Sequence, residues 1–325
     1  MRFPLNIYLF SFAGAGLITL LTLPLWRAWC RHAGLVDDPG HRKIHDHSVP
    51  LAGGLAILTG LLLPLAGAWL AQQLNLFEMV TTERIVPAFP RRSGQLLAIL
   101  GGALGITLLG WLDDRFELRA KVKFAGQLLI AGLVASAGIR ITLFVPSVAF
   151  SYFVTILWIL TVTNAFNFTD NMNGLCAGLC VIAVVQLGLL SASRGHYLVA
   201  ALAFLVAGAT LGFLPYNFPR ASVFLGDSGS HLLGFLVSVL TILPHFYSPK
   251  HPHTLAVLSP LLVLAVPLAD LLCVVLTRLK RAEPFYIADN NHFSHRLVRF
   301  GLGRAQAVVL LWLVATVIGS VVFLL

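Results

Sequence analysis

Two adjacent acids, Asp113 and Asp114, close an aliphatic run in the stretch "GWLDDRFELRAKVKF", and Arg119, Lys121 and Lys123 follow within ten residues. Neighbours on a helix point about 100° apart, so the two carboxylates can address different partners, such as a metal and a proton. At a membrane boundary they would repel one another unless a cation or nearby bases offset them. The alternative is an ordinary charged loop whose acids and bases pair with each other, which contributes little.

Three further segments carry chemistry-bearing side chains. In "TNAFNFTDNMNG", Asn164, Asn167, Asp170 and Asn173 recur every three residues and could line one polar face at a helix end. Amides with a carboxylate suit a hard cation, a sugar or a base edge, and a polar helix-to-helix contact is the structural alternative. In "VFLGDSGSHLLGF", Asp227 stands between Gly226 and Gly229 where a helix should begin. Free amides there favour a phosphate, and Asp227 can equally serve as the helix N-cap. Tyr216, Asn217 and Phe218 precede it, and Phe224 offers a flat ring close to the acid. In "ADNNHFSHRLVRF", His292 and His295 stand three apart beside Arg296 and Arg299. Neutral imidazoles there could bind a metal; protonated ones with arginines suit a diphosphate, and attraction to anionic lipid is the bland competitor. The segment "GLVDDPGHRKIHDHSVPLAGG" adds Lys43, His45 and further acids and histidines ahead of a glycine pair.

The elements that must position these groups are apolar. The chain has 325 residues, 58% hydrophobic and only 11% charged, which excludes an ordinary water-soluble globule. Windows of bilayer-spanning length predict ten helices near 4–27, 50–72, 94–112, 122–138, 148–166, 173–192, 197–215, 228–246, 255–277 and 304–325. This is an all-α polytopic membrane protein in a single domain over residues 1–325. The first run is longer than a usual signal-peptide core and is expected to be retained. Cys30, Cys176, Cys180 and Cys273 are scattered in or beside apolar runs and form neither a disulfide framework nor a zinc spacing.

Charge then sets sidedness. Of the 22 Lys and Arg, 15 fall in the odd-numbered loops, so the positive-inside rule places those loops in the cytoplasm and both termini outside. The rule does not use acids, yet 10 of the 13 Asp and Glu lie in or beside the same loops, while Asp270 falls inside a span. Solubility alone does not require one face to be rich in both signs; a polar site on that face does. The net charge of +9 therefore reads as loop topology, with no nucleic-acid partner. A transporter with a charged vestibule would instead place charges at mid-span and show symmetric halves, and no internal repeat is visible.

Taken in order, "DDPGHRKIHDHSVPLAGG", "GWLDDRFELRAKVKF", "NAFNFTDNMNG", "YNFPRASVFLGDSGS" and "HFSHRL" resemble the polyprenyl-phosphate N-acetylhexosamine-1-phosphate transferases, the WecA and MraY type of enzyme, from about residue 34 to residue 306. The resemblance implies about ten transmembrane helices, periplasmic termini and an active site on the cytoplasmic face of a bacterial inner membrane. It implies attack of a polyprenyl phosphate, undecaprenyl phosphate in bacteria, on a UDP-amino sugar with release of UMP, initiating cell-envelope polysaccharide. A homodimer is compatible with it. By similarity, Asp227 and Asn167 hold Mg²⁺, with Mn²⁺ as a substitute, and Asp113 or Asp114 positions or deprotonates the lipid phosphate. Lys123 matches a phosphate-contacting lysine. Asn173, Asn217 and Phe224 match uracil-holding positions, and Asp170 matches an acid of unassigned role. His292 and His295, with Arg296, match the histidine segment, and Lys43 or His45 stands in for a first-loop base. The chain departs from the family at three places. Asp-Gly-x-Asp-Gly reads Asp170-Asn171-Met172-Asn173-Gly174, His-x-His-His reads His292-Phe293-Ser294-His295, and Asp46 occupies the usual basic position. The three-histidine run of the MraY branch is absent, which places the chain nearer the WecA branch and a GlcNAc-type sugar than the muramoyl-pentapeptide precursor.

Overall fold

The computed structural model describes residues 4–38, 47–74, 88–244, 246, 254–281 and 291–325. Lys43 and His45 lie outside them. The apolar runs form α1 (Leu5–His32), α2 (Gly53–Gln73), α3 (Ala88–Phe116), α4 (Ala120–Ser136), α5 (Val148–Thr169), α6 (Leu175–Ser193), α7 (Tyr197–Asn217) and α8 (Gly226–Ile242). A second group follows: α9 (Ser259–Val263), α10 (Ala265–Lys280), α11 (Phe293–Arg299) and α12 (Arg304–Ser320). Strands β1 (Val36–Asp37) and β2 (Val49–Pro50) pair antiparallel, Val36 opposite Pro50.

Each of the ten expected runs coincides with a helix or, for 255–277, with a broken pair. Among the described residues seven helices are long and apolar enough to cross a bilayer by length and composition, eight if the pair bent by 72° between Leu255–Val263 and Ala265–Lys280 counts as one. Pro267 lies in the first turn of α10 and has no N–H to continue the preceding turn, which accounts for a break at Leu264. Helices α4 and α8, with 17 residues each, fall just short of that length. At 1.5 Å per residue each is about 26 Å long, against a hydrocarbon core of about 30 Å.

The bundle has an inner and an outer shell. Helix α8 is buried along nearly its whole length, ringed by α2, α3, α5 and α6. The most apolar window of α6 is 72% buried and that of α1 only 22%, so α6 belongs with the core and α1 with the rim. Phe10, Leu21, Leu129, Leu133 and Val317 point outward, as residues facing lipid must where apolar side chains meet an apolar solvent. All four cysteines are free thiols, in agreement with their scattered spacing.

Chain reversals bring one set of helix ends together. The C-termini of α3, α5 and α7 and the N-termini of α4, α6 and α8 are joined by hydrogen bonds across elements. The β1–β2 pair is fastened to the same end, because Phe224 N–H donates to Pro50 O (2.9 Å) and Gly53 N–H donates to Phe224 O (3.0 Å). The first loop is therefore rooted beside Phe224.

Close helix approach here depends on Gly110. A Cβ added to it would lie 2.5 Å from Ser228 Cα, against the first turn of α8. Gly110→Ala must push α3 off that turn, an overpacking cost of about 1–3 kcal/mol. A lower melting temperature in detergent and at least roughly tenfold slower turnover are expected, since 1.4 kcal/mol of misplacement is already tenfold. Wild-type melting and turnover would show that the helices tolerate the extra methyl.

Candidate active site

Three helix ends converge on Asp227, in the first turn of α8. Lys123, on the first turn of α4, pairs through Nζ with Asp227 Oδ2, and the same nitrogen reaches Asp113 Oδ2 at 2.5 Å. Asn167, near the end of α5, donates from Nδ2 to Asp227 Oδ1 (2.8 Å) and to Ser230 Oγ (3.0 Å). His231 completes the surround from behind: its Nδ1 lies 2.6 Å from Asp227 O, and because a carbonyl only accepts, Nδ1 carries the proton. One ammonium thus bridges two half-buried carboxylates, an arrangement in which charge-assisted hydrogen bonds offset the repulsion of like charges.

The adjacent acids address different partners, as their helical spacing requires. Asp113 turns toward Lys123 and also accepts from Leu118 N–H (2.9 Å). Asp114 turns toward α8, where Oδ1 accepts from Asp227 N–H (2.8 Å) and Oδ2 from Ser228 N–H (3.1 Å). Asp114 therefore caps α8 from another helix, satisfying donors that would otherwise be orphaned at the helix start. Gly226 makes room for it: φ is +72°, and an added Cβ would stand 2.7 Å from Asp114 Oδ2. The capping role expected of Asp227 itself belongs to Asp114.

The polar row in "TNAFNFTDNMNG" divides. Asn164 donates from Nδ2 to Gln127 Oε1 (2.7 Å), a contact between α5 and α4, so the structural alternative holds for this residue. Asn167 faces Asp227, whereas Asp170 and Asn173 leave the helix. Asp170 follows the last turn of α5, half-buried, and loss of water together with the carboxylates of Asp227 and Asp114 pushes it up to about 8. Asn173 Nδ2 approaches Pro219 O at 3.4 Å. Asn217, 3% exposed, accepts from Gly174 N–H (2.6 Å) and donates to Val223 O (2.9 Å). Both ends of its amide are spent bracing two loops, so Asn217 shapes the surroundings of Phe224 from within. Phe224 is half-buried between Pro50 and Gly53.

The histidine segment splits too. His292, 6% exposed, has Nδ1 at 2.7 Å from Asp270 Oδ2, and Asp270 Oδ1 accepts from Phe293 N–H (2.7 Å). The carboxylate of α10 thus fixes both the ring and the start of α11. The His292 ring meets Phe168 edge-on, centroids 6.1 Å apart, and Arg278 lies over the same Phe168 ring at 5.3 Å. His295 is half-exposed and lies 6.1 Å from the His292 ring; burial, then His292 and Arg299, hold it below the ordinary histidine value. Arg296 Nε donates to Asn291 O (2.9 Å).

Among the described residues no three His, Cys, Asp or Glu side chains converge as a cage for a metal. Asp227 supplies hard carboxylate oxygens, and the Asn167 amide, which here presents Nδ2 to Asp227 Oδ1, carries an oxygen that a turn of the amide would offer to a cation. That set fits a cation such as Mg²⁺, which typically takes one or two carboxylates and completes its shell with water and substrate phosphates.

Residues 96–245 match glycosyl transferase family 4. A Bacillus subtilis (strain 168) protein named "Probable undecaprenyl-phosphate N-acetylglucosaminyl 1-phosphate transferase" is 35% identical over 306 residues, covering 92% of this chain and 79% of its own. The chain belongs to glycosyl transferase family 4. A Mycobacterium tuberculosis (strain ATCC 25618 / H37Rv) protein named "Decaprenyl-phosphate N-acetylglucosaminephosphotransferase" is 31% identical over 327 residues, 92% of this chain and 78% of that one. An Escherichia coli (strain K12) protein named "Undecaprenyl-phosphate alpha-N-acetylglucosaminyl 1-phosphate transferase" is 27% identical over 321 residues, 94% of this chain and 80% of that one. As a family 4 member the chain is a membrane transferase, and the matched segment holds Asp113, Asp114, Lys123, Asn167, Asp170, Asn173, Asn217, Phe224 and Asp227. The sequence reading passed over Asp270, His231 and the partnership of Ser294 with Asn171. Asp270 alone carried a signal, as the single acid read inside a span.

Proposed function

We propose that this family 4 transferase moves N-acetylglucosamine 1-phosphate from its UDP-linked form to undecaprenyl phosphate, releasing UMP and opening an envelope polysaccharide. Every curated relative named above acts, by its name, as an N-acetylglucosamine phosphotransferase on a polyprenyl phosphate, which weighs against the muramoyl-pentapeptide alternative. The protein sits in the bacterial inner membrane with ten spans, both termini outside and the site facing the cytoplasm. The excess of Lys and Arg in the odd loops supports that orientation, and so does the gathering of the Asp227 network at the helix ends those loops join.

The observation that carries the reading is the Lys123 ammonium shared by Asp113 and Asp227 at the meeting of α3, α4 and α8. Phosphoryl transfer between two anions needs positioned cations and alignment more than covalent chemistry. Lys123 answers the phosphate charge, while Asp113, which does not cap α8 as Asp114 does, orients the acceptor phosphate or takes its proton. Mg²⁺, for which Mn²⁺ can substitute, would be held by Asp227 and Asn167 and neutralise charge on the diphosphate. Asp170 stands beside it with its carboxyl pKa raised by burial and by Asp227 and Asp114. Phe224 and Asn173 line the side on which the uracil would rest, with His295, Arg296, Lys43 and His45 as further anion-binding groups.

Purified protein in detergent, given undecaprenyl phosphate, Mg²⁺ and a panel of UDP-amino sugars, is expected to release UMP and form a lipid-linked product with UDP-GlcNAc. If no sugar reacts, while radiolabelled solute crosses proteoliposomes, the transferase reading is wrong.

A further inference from the structure

Two of the positions at which this chain departs from the family motifs touch each other. Ser294 Oγ–H donates to Asn171 Oδ1 at 2.6 Å, across 123 residues of sequence. Ser294 is 1% exposed, so its bond is made in the interior. The other end of the same amide, Asn171 Nδ2, donates to Phe168 O at 2.7 Å, on the last turn of α5. Asn171 therefore joins the turn that carries Asn167 and Asp170 to the short helix that carries His295 and follows His292. Phe168, whose carbonyl it holds, is also the ring on which His292 rests edge-on.

We propose that Asn171 and Ser294 form a latch that positions the histidine helix α11 against the turn carrying Asn167 and Asp170, and that each is a positioning residue because of the other. Asp270 ties α11 to α10, and the latch ties it to the segment after α5. Neither side chain reacts. Their work is to hold the imidazoles of one element at a fixed distance from the carboxylate and amides of another, and a small misplacement of such groups costs turnover rather than binding. A buried hydroxyl that loses its acceptor is left unsatisfied, so removing either partner is as harmful as removing the bond. The inference rests on the transferase reading for its kinetic consequence but not for its structural one.

The test uses Ser294→Ala, Asn171→Ala, their double variant and Ser294→Thr in the full-length protein. Backbone hydrogen exchange over residues 293–299 is read without substrate, and kcat and KM are read with undecaprenyl phosphate and UDP-GlcNAc. Loss of the Ser294–Asn171 bond, about 1 kcal/mol, predicts roughly five- to tenfold faster exchange in Ser294→Ala and at least as much in Asn171→Ala, which also loses its bond to Phe168 O. The double variant should exchange no faster than Asn171→Ala alone, since the Ser294–Asn171 bond can be lost only once. kcat should fall by about the same factor with both KM values nearly unchanged, and Ser294→Thr should restore both readouts. Unchanged exchange in the single variants, multiplying effects in the double, a rise in KM with intact kcat, or failure of threonine to rescue would each overturn the latch. Wild-type protein inactive with every sugar would refute the transferase reading alone, and the exchange measurements would still decide the latch.

Discussion

Asp227→Asn is expected to reduce turnover by about 10²–10³-fold, or roughly 3–4 kcal/mol of transition-state stabilisation, while leaving the protein folded. The substitution is isosteric, and the backbone of Asp227 stays capped by Asp114 and backed by His231, so the start of α8 keeps its place. What disappears is the negative charge on which Lys123 and Asn167 converge. Lys123 keeps only its pairing with Asp113, and the Mg²⁺ proposed for the diphosphate would lose its carboxylate ligand. UMP release, Mg²⁺ titration by calorimetry and detergent melting separate the outcomes. Weakened Mg²⁺ binding with wild-type melting supports the assignment; more than a tenth of wild-type turnover removes Asp227 from the centre of the site.

The asymmetry between Asp113 and Asp114 shows how far the sequence could reach. Helical spacing said that the two acids diverge, and they do. It could not say which faces the reacting region, because that depends on where α8 starts in space, more than a hundred residues away in sequence. The apolar helices were legible because a bilayer demands long apolar runs with no unpaired backbone, a local property. The grouping of Lys123, Asn167 and Asp227 was legible because all three stand at helix ends that the charge pattern put on one face. Asn217 is ambiguous for the opposite reason: an amide ahead of a glycine-rich turn reads equally well as a ligand group and as a brace, and its two backbone partners show the brace. The bonds Asp270–His292 and Ser294–Asn171 join elements with no shared period and no motif spacing, so no local signal announces them. Asp270 did stand out as an acid within a span, and the physics of burial supplies the missing step. Such an acid must have a partner, and His292 with the Phe293 N–H supplies it.

That partnership makes Asp270 the position where stability and chemistry can be pulled apart. Asp270→Ala strands the buried His292 Nδ1 and the Phe293 N–H together, and removing one partner of a buried pair costs about 3–5 kcal/mol. A clear drop in detergent melting temperature and near-complete loss of turnover are expected. Asp270→Asn differs in kind. Its carbonyl oxygen can still accept from Phe293 N–H, so α11 keeps its attachment and melting should change little. Its amide N–H₂, however, meets His292 Nδ1, which must then accept, and the ring's proton moves to Nε2. A carboxylate that accepts from Nδ1–H leaves a lone pair on Nε2 of the neutral ring; the amide reverses that polarity at Nε2. Where a histidine works through its outer nitrogen, a reversed tautomer has cost up to about 10⁴-fold in rate in other enzymes, so at least tenfold loss of kcat with near-native melting is the expected signature here. Equal loss of melting and of turnover in both variants would make Asp270 a structural anchor with no say in how His292 presents itself. Full activity of Asp270→Asn would mean that the outer nitrogen of His292 takes no part in the reaction, leaving His295 as the imidazole of the segment that does.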